Sequence, residues 1–290
     1  MKFDPSLASS IDQSTVEEKL AYPIIQWING QPSLRRAGGV EYTGGFFVAE
    51  ESIDLAGAAG WEALTVTHRN GDTSAGFATR ALRVSVIRMR RRWEVFDGDR
   101  RIFFPWNAYD SARAVGRPSG RLHILSLIAG LEAAGPIVLT MRGSVAAAMT
   151  KRDGILQQFD ATVVRAANQA SAEHARKQGK PPARWARRAF WLPLSPMADA
   201  KNEPVFTEVG AGSATSKVTL PVSPGLPATW QECDPGAYFV GAEILRTVNE
   251  IYADTEQWEL DWSQFGEATP VNNDPDGEVN FYAGADEPFF

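Results

Sequence analysis

Three arginines alternate with other residues along a strand-like stretch that runs from Arg80 to Phe96. Arg88, Arg90 and Arg92 fall on the same side of this stretch, because successive side chains of a β-strand point to opposite faces. Guanidinium groups pair with phosphate oxygens in a planar, bidentate geometry. A row of three such groups on one strand therefore favours an extended polyanion as the ligand.

Aromatic residues accompany this row. Trp93 follows it directly, and Trp106 belongs to the next segment, RIFFPWNAY, at positions 101–109. Rings that stand beside cations stack on the bases of single strands, and each stacked base contributes about 1–3 kcal/mol. We therefore assign Trp93 and Trp106 to the same candidate nucleic-acid site. The alternative interpretation is that the rings of this segment pack in the core.

A second basic and aromatic stretch, GKPPARWARRAFWLPLSPM, occupies positions 179–197. It adds five residues to the candidate site, which are Arg184, Trp185, Arg187, Arg188 and Trp191. The same pattern is also that of a loop that enters the core through its tryptophans, and the sequence leaves both interpretations open.

The strand that carries the arginines changes phase along its length. Its apolar residues stand at even positions up to Val86 and at odd positions from Ile87 onward, which predicts a β-bulge between the two halves. Arg91 then falls on the apolar side, where its charge must reach a rim or a carboxylate. The alternating segment WEALTVTH ends before Asn70-Gly71, a strong hairpin signal, and we expect the 80–96 strand to be its partner.

Other short apolar runs predict further strands, and helical spacing predicts helices from about 144 to 178, broken at Asp153-Gly154, and from about 237 to 252. Long bent strands build small barrels. We expect an α+β, β-rich fold with an oligonucleotide-binding (OB)-like barrel elaborated by helices. The domain would span 21–265, after an N-terminal arm at 1–20 and before a disordered acidic tail at 266–290.

Charge is distributed unevenly along the chain. The net charge is −6, yet eleven acids and no Lys or Arg follow from Glu250 to the end, so the preceding residues carry 29 basic and 24 acidic side chains. A basic body with an acidic tail is compatible with a nucleic-acid partner. The first twenty residues contain no secretory apolar stretch, and no run of about 18 apolar residues occurs. We expect a cytoplasmic protein without a membrane segment.

The chain ends in Asp286, Glu287, Pro288, Phe289 and Phe290. Two terminal phenylalanines gain nothing in water, so we expect them to bind an apolar pocket with a basic rim on a partner protein. This tip resembles that of bacterial single-stranded DNA-binding proteins, which end in an acidic run followed by Pro-Phe. Asp286 and Glu287 match the acids, Pro288 the proline and Phe289 the phenylalanine. Phe290 and the shortness of the acidic run depart from the pattern.

The resemblance implies an OB barrel that coats single strands and a tip that docks on replication and repair proteins. It covers about 5 of the 290 residues. The body is longer than in the bacterial housekeeping members, which favours a divergent phage or mobile-element version.

Signals for an enzyme are weak. The single cysteine, Cys233, has no evident histidine partner, and the three histidines are scattered, so we expect no metal and no cofactor. The segment Gly210–Lys217 lacks the glycine directly before lysine that a phosphate loop needs. Asp199, Lys201 and Glu203 are similar to the carboxylate clusters of metal-dependent nucleases.

The sequence thus predicts a non-enzymatic protein that binds single-stranded DNA, with RNA as the alternative strand, in replication, recombination or repair. Two other functions stay open: a metal-dependent nuclease acting through Asp199, and a protein-interaction or virion component whose basic faces are merely solvated. The oligomeric state is open and includes a homo-oligomer. Charge also suggests that the acidic tail folds back on an empty basic groove. Unchanged low-salt affinity after tail removal would contradict that idea.

Overall fold

The structure, a computed structural model, describes residues 22–28, 44–50, 59–67, 73–98, 100–211 and 214–259. Within these ranges the chain forms twelve strands: β1 (Ile24–Ile28), β2 (Gly45–Ala49), β3 (Glu62–Thr67), β4 (Thr73–Thr79), β5 (Leu82–Asp97), β6 (Arg100–Pro105), β7 (Ser119–Ile128), β8 (Ile137–Arg142), β9 (Trp191–Pro196), β10 (Phe206–Ala211), β11 (Ala214–Thr219) and β12 (Pro221–Val222). The predicted N-terminal arm and acidic tail lie outside the described residues.

Helices fill the connections. They are α1 (Tyr109–Val115), α2 (Gly143–Thr150), α3 (Ile155–Phe159), α4 (Arg165–Gln178) and α5 (Ala242–Asp254), and a π-helical turn (Asp160–Val164) joins α3 to α4. Short 3-10 turns occur at Glu132–Ala134, Arg187–Ala189, Trp230–Glu232, Pro235–Tyr238 and Glu256–Glu259. None of the described helices is both long and apolar enough to cross a membrane.

Ten strands form one curled sheet, in the order β12-β9-β5-β7-β8-β1-β2-β4-β3 with β6 paired to β5. Neighbours are antiparallel except β1 and β8, which are parallel. Strands β10 and β11 form a separate hairpin. The expectation of a mixed α+β, β-rich fold is confirmed in this coarser form.

Strand β5 bends where the sequence predicts it. Its register with β7 shifts between Val86 and Arg88, which confirms the bulge. Before the bulge, Val84 and Val86 face the main core. After it, Met89 packs on the same core, so the change of phase keeps one side of the strand apolar across the bend.

The predicted partner of β3 is wrong. β3 pairs with β4, and β5 pairs instead with β6, β7 and β9. The sequence of β4, TSAGFAT, has weak strand character, but its small residues have a packing reason. A Cβ at Gly76 would lie 2.1 Å from the Val48 carbonyl oxygen and 2.7 Å from the Phe47 ring. This close approach to β2 is a tertiary constraint that local propensity does not reveal.

The helices lie on both faces of the central strands β5, β7 and β8. On one face, α2, α3 and α4 cover the main core, which includes Val84, Ile124, Leu139, Phe159 and Val163. We call this the helix-side face. On the opposite face, α5 and the turn Glu256–Glu259 pack on Leu125, Leu127 and Trp191. We call residues 242–259 the strap and this second face the strap-side face.

The helical predictions are confirmed in position. The break before α3 includes Asp153, whose φ is 63°, and Gly154, where a Cβ would lie 2.8 Å from the Lys151 carbonyl oxygen. The last helix begins later than predicted, at Ala242, because residues Pro235–Tyr238 form a 3-10 turn that Asp234 caps by accepting from the Gly236 N–H.

Candidate nucleic-acid interface

The predicted arginine row lies on one side of β5, but that side is the covered, strap-side face. Arg88, Arg90 and Arg92 are only 9%, 4% and 1% exposed, so in this conformation they are not open to a ligand in solvent. Arg88 and Arg90 contact the strap. Nη2 of Arg92 lies 3.1 Å from Nε2 of His123. The guanidinium carbon of Arg92 lies 3.5 Å from the centroid of the Phe103 ring.

An acidic residue ends this row. The carboxylate of Glu94 is fully buried and accepts from Nε and Nη2 of Arg121 at 2.9 and 3.2 Å. Nε of Arg142 lies 3.2 Å from the same carboxylate. Arg92, Arg121 and Arg142 are register neighbours on β5, β7 and β8. Beyond the bulge, strands β5, β7 and β8 therefore hold five arginines beside one buried glutamate on the strap-side face.

The helix-side face of β5 presents different residues to solvent. Arg91 is exposed at its rim, as its position in the pattern requires, and its guanidinium carbon lies 4.7 Å from the centroid of the Trp106 ring. Trp106 in turn stacks on Trp93, with centroids 4.1 Å apart and planes 10° apart. The Trp93 indole N–H donates to the Trp106 carbonyl oxygen at 2.8 Å.

A glycine makes room for this indole pair. Gly120 lies opposite Trp93 in the register of β5 and β7. A Cβ at Gly120 would lie 3.4 Å from the Trp106 ring and 3.8 Å from the Trp93 ring. The edge of the Tyr109 ring closes the cluster, with its centroid 5.0 Å from that of Trp93. Trp93 and Trp106 are half-buried, so part of each ring is open to solvent.

Beside Arg91 lies an open cavity of about 610 Å³ between β5, β7 and the α2–α3 connection, which we call the groove. Five basic residues line it, and four of them direct their charge to it: Arg91, Lys151, Arg152 and Arg187. The fifth, Arg90, bonds through its guanidinium to the strap on the opposite face. Arg91, Lys151 and Arg152 are exposed, and Gln157 adds an exposed amide. The groove thus combines several positive charges with the stacked indoles next to Arg91.

One carboxylate partly neutralises the positive charge of the groove. Asp160 lies on the groove and pairs with Arg187, whose Nε donates to Oδ1 at 2.9 Å and whose Nη2 donates to Oδ2. Nη1 of Arg187 donates to the Met89 sulfur at 3.4 Å. These contacts orient the guanidinium toward the groove, and the lining keeps a net positive charge.

The second predicted stretch is divided among four environments. Arg187 reaches the groove, whereas Arg188 lies on the strap-side face, where its Nε donates to Asn249 Oδ1 at 2.8 Å. Arg184 is exposed away from both. Trp185 packs on Phe190 and Phe239, and Trp191 is 5% exposed in the strap-side core. Both rings therefore pack in the core, as one of the two interpretations expected, but Trp191 does so as the first residue of β9 and not from a loop.

Sequence reasoning does not identify three groove residues as site residues: Arg91, Lys151 and Arg152. For Arg91 the available signal is its phase in the strand, which predicts a position at a rim. Lys151 and Arg152 directly precede the predicted helix break at Asp153-Gly154, and both follow the last helical residue of α2. A basic pair at a helix break is a usable signal only once the packing of the helix on the sheet is known.

The residues of the alternative, enzymatic interpretations make other contacts. Asp199 Oδ1 accepts from the N–H groups of Lys201 and Glu203 at 2.8 and 2.9 Å, which makes it the organiser of a turn. Across the described ranges, no group of three or more His, Cys, Asp or Glu residues is arranged to hold a metal ion. Burial, followed by the neighbouring charge of Asp234, raises the pKa of the Cys233 thiol and so disfavours the nucleophilic thiolate.

The predicted partner-binding tip, Asp286 to Phe290, lies outside the described residues.

Comparisons with models of protein families, with curated proteins and with solved structures gave no significant match.

Proposed function

We infer that this chain is a non-enzymatic protein that binds single-stranded DNA with little sequence preference, in replication, recombination or repair. The observation that carries this inference is the groove: three separate elements bring Arg91, Lys151, Arg152 and Arg187 around one open cavity, and a stacked indole pair lies beside Arg91. The remaining, finer expectations go with it: an OB-type barrel, a cytoplasmic location, and a C-terminal tip that recruits repair and replication proteins.

The groove suits a single strand better than a duplex. Phosphates of either form are attracted to the four cations, because their binding releases counterions from the nucleic acid. Only a single strand offers free base faces, and a base can take the place of the exposed Arg91 guanidinium on the Trp106 face that Trp93 does not cover. None of these contacts reads a base edge, so slight sequence preference follows.

Fluorescence anisotropy of a labelled oligo-dT, titrated with the full chain across a salt series, tests the inference. We expect single-stranded binding to exceed binding of a duplex of equal length and to weaken steeply with salt. Competition by unlabelled oligo-U of the same length separates DNA from RNA preference. No binding of any oligonucleotide at low salt would overturn the proposed function.

A matched pair of double variants locates the site. Lys151→Glu with Arg152→Glu reverses two exposed groove charges, and Arg176→Glu with Lys177→Glu makes the same change at the exposed end of α4. We expect the groove variant to lose about tenfold or more in affinity and the α4 variant to lose much less. Equal losses would show that only bulk charge matters and would contradict the groove as the site.

A further inference from the structure

The strap covers the arginine row through hydrogen bonds to oxygen atoms. Nε of Arg88 donates to Thr255 Oγ1 at 3.1 Å, and Nη2 of Arg88 donates to the Tyr252 carbonyl oxygen at 2.5 Å. Nη1 of Arg90 donates to the Trp258 carbonyl oxygen at 2.9 Å. These acceptors stand where the phosphate oxygens of a bound strand would stand relative to a guanidinium group.

The strap also stacks aromatic rings on the same guanidinium groups. The Tyr252 ring centroid lies 4.0 Å from the guanidinium carbons of both Arg88 and Arg188. The Trp258 centroid lies 4.1 Å from that of Arg90. Oxygen acceptors and flat π-faces are the two features that a single strand offers to arginine. The strap therefore occupies the row with the chemistry of a nucleic-acid strand.

Charge complementarity supports the same view. The strap contains five acids, Glu243, Glu250, Asp254, Glu256 and Glu259, and one basic residue, Arg246. The sheet face beneath it holds Arg88, Arg90, Arg92, Arg121 and Arg142 beside Glu94. The positive charge of this face favours a polyanionic ligand, and the segment that covers it, the strap, carries net negative charge.

The strap packs on the sheet through one side of its helix and through Trp258. Val248, Thr255 and Trp258 are buried, Ile244, Leu245 and Ile251 pack on the strap-side core while partly exposed, and Tyr252 is 37% exposed. Helix α5 presents one apolar side to the sheet and is otherwise in solvent. A strand that displaces the strap must therefore offset the exposure of this apolar surface through its own contacts with the arginine row.

A continuous path joins the groove to the row. In the described part of the chain, residues 86–91 of β5 pair with β7 alone, because β9 pairs with residues 82–85 and β6 with residues 92–97. The turn Arg187–Ala189 lies at this gap, and Ser85 Oγ donates to the Arg188 carbonyl oxygen at 2.7 Å. Arg187 reaches the groove and Arg188 reaches Tyr252, so consecutive arginines connect the two faces.

We propose that the strap-side face carrying Arg88, Arg90 and Arg92 is a second binding site for single-stranded nucleic acid, which the strap occupies in the free protein. This rests on the proposed function. A short strand fills the groove alone. A longer strand crosses the gap at Arg187 and Arg188 and displaces the strap from the row.

Hydrogen exchange on the full chain tests this directly. Two oligo-dT ligands are compared, of about 6 and about 30 nucleotides, which bracket the range of about 4–16 nucleotides that one OB-type barrel covers. We expect the short ligand to leave exchange of the strap amides at 251–258 unchanged and the long ligand to raise it severalfold. Unchanged or lower strap exchange with the long ligand bound would overturn the second site.

A strap variant gives an independent readout. Tyr252→Ala removes the ring that contacts both Arg88 and Arg188, whereas Thr247→Ala alters an exposed residue of the same helix and serves as the control. We expect Tyr252→Ala to tighten binding of the long oligo-dT about three- to tenfold, with no change for the short one. Equal affinities in the variant, control and wild type would count against the strap as a competitor.

The two proposals fail in different ways. If the wild-type chain binds neither ligand at low salt, both are wrong. If it binds both ligands through the groove, as judged by the Lys151→Glu, Arg152→Glu variant, and the strap does not respond, the proposed function stands and the second site is wrong.

Discussion

The two faces of β5 carry arginines in opposite circumstances. On the strap-side face, Arg88, Arg90 and Arg92 are buried against carbonyl oxygens, rings and a histidine. On the helix-side face, Arg91 stands exposed at the groove. These residues are consecutive or nearly so in the sequence. Their accessibility differs because α5 and its following turn cover one face, whereas the helices opposite leave an open cavity beside Arg91.

Burial decides what each charge contributes. A guanidinium buried with its partners has lost water, so removal of a partner leaves an uncompensated charge. An exposed guanidinium keeps its water, and its ion pairs contribute little to stability. The same residue type is therefore part of the folded scaffold on one face and available for phosphates on the other.

Removal of one carboxylate from each face is expected to separate the two roles most strongly. Glu94→Ala leaves the nearly buried Arg121 and Arg142 without their shared carboxylate, so we expect a loss of about 3–5 kcal/mol of unfolding free energy. Asp160→Asn removes the 42% exposed partner of Arg187, so we expect a loss under about 1 kcal/mol. Urea denaturation of both variants measures the two losses.

The same pair separates the faces in binding. Asp160→Asn removes an acid from the groove lining, so it should tighten oligo-dT binding slightly while stability hardly changes. Similar losses of stability from the two variants would mean that burial does not distinguish the faces, and the comparison would fail.

Much of this arrangement was predictable from the sequence. The change of apolar phase at Val86 and Ile87 gave the bulge, and alternation placed Arg88, Arg90 and Arg92 on one side with Arg91 on the other. Alternation does not say which side solvent reaches. That depends on the strap, and Arg88 and its partner Thr255 are 167 positions apart in the chain. Long-range coverage of this kind leaves no local signal.

The rest of the candidate site shows the same limit. Lys151 and Arg152 become groove residues because α2 packs against β7 and β8 and ends beside Arg91. Trp191 belongs to β9, whose sequence WLPLSP contains two prolines. The strand forms nevertheless, by pairing with β5 and β12. Pro is unfavourable inside a strand, so its pattern argued for a loop.

Two tryptophans, one from the strap-side core and one beside the groove, separate an effect on stability from an effect on binding. Trp191→Ala empties a buried site in the strap-side core, so we expect it to lower the free energy of unfolding by about 3–5 kcal/mol. Trp106→Ala removes half of the indole stack beside the groove, so we expect it to weaken oligo-dT binding by about 1–3 kcal/mol. Denaturation and anisotropy are measured on both variants. A folded Trp191→Ala chain with the larger binding defect would reverse the assignment of the rings.

The smallest expected effect is a change of salt dependence at Arg91. Each phosphate contact of a single strand contributes a slope of about −0.7 to log K against log salt. Arg91→Ala should therefore make the slope of oligo-dT binding shallower by about 0.7. Arg83→Ala is the matched control, because Arg83 is an exposed arginine on the same strand, before the bulge, with its guanidinium carbon 5.9 Å from the Trp191 ring centroid. If both variants shift the slope equally, Arg91 contributes only to the overall positive charge of β5. Arg91 then makes no specific contact with a phosphate in the groove.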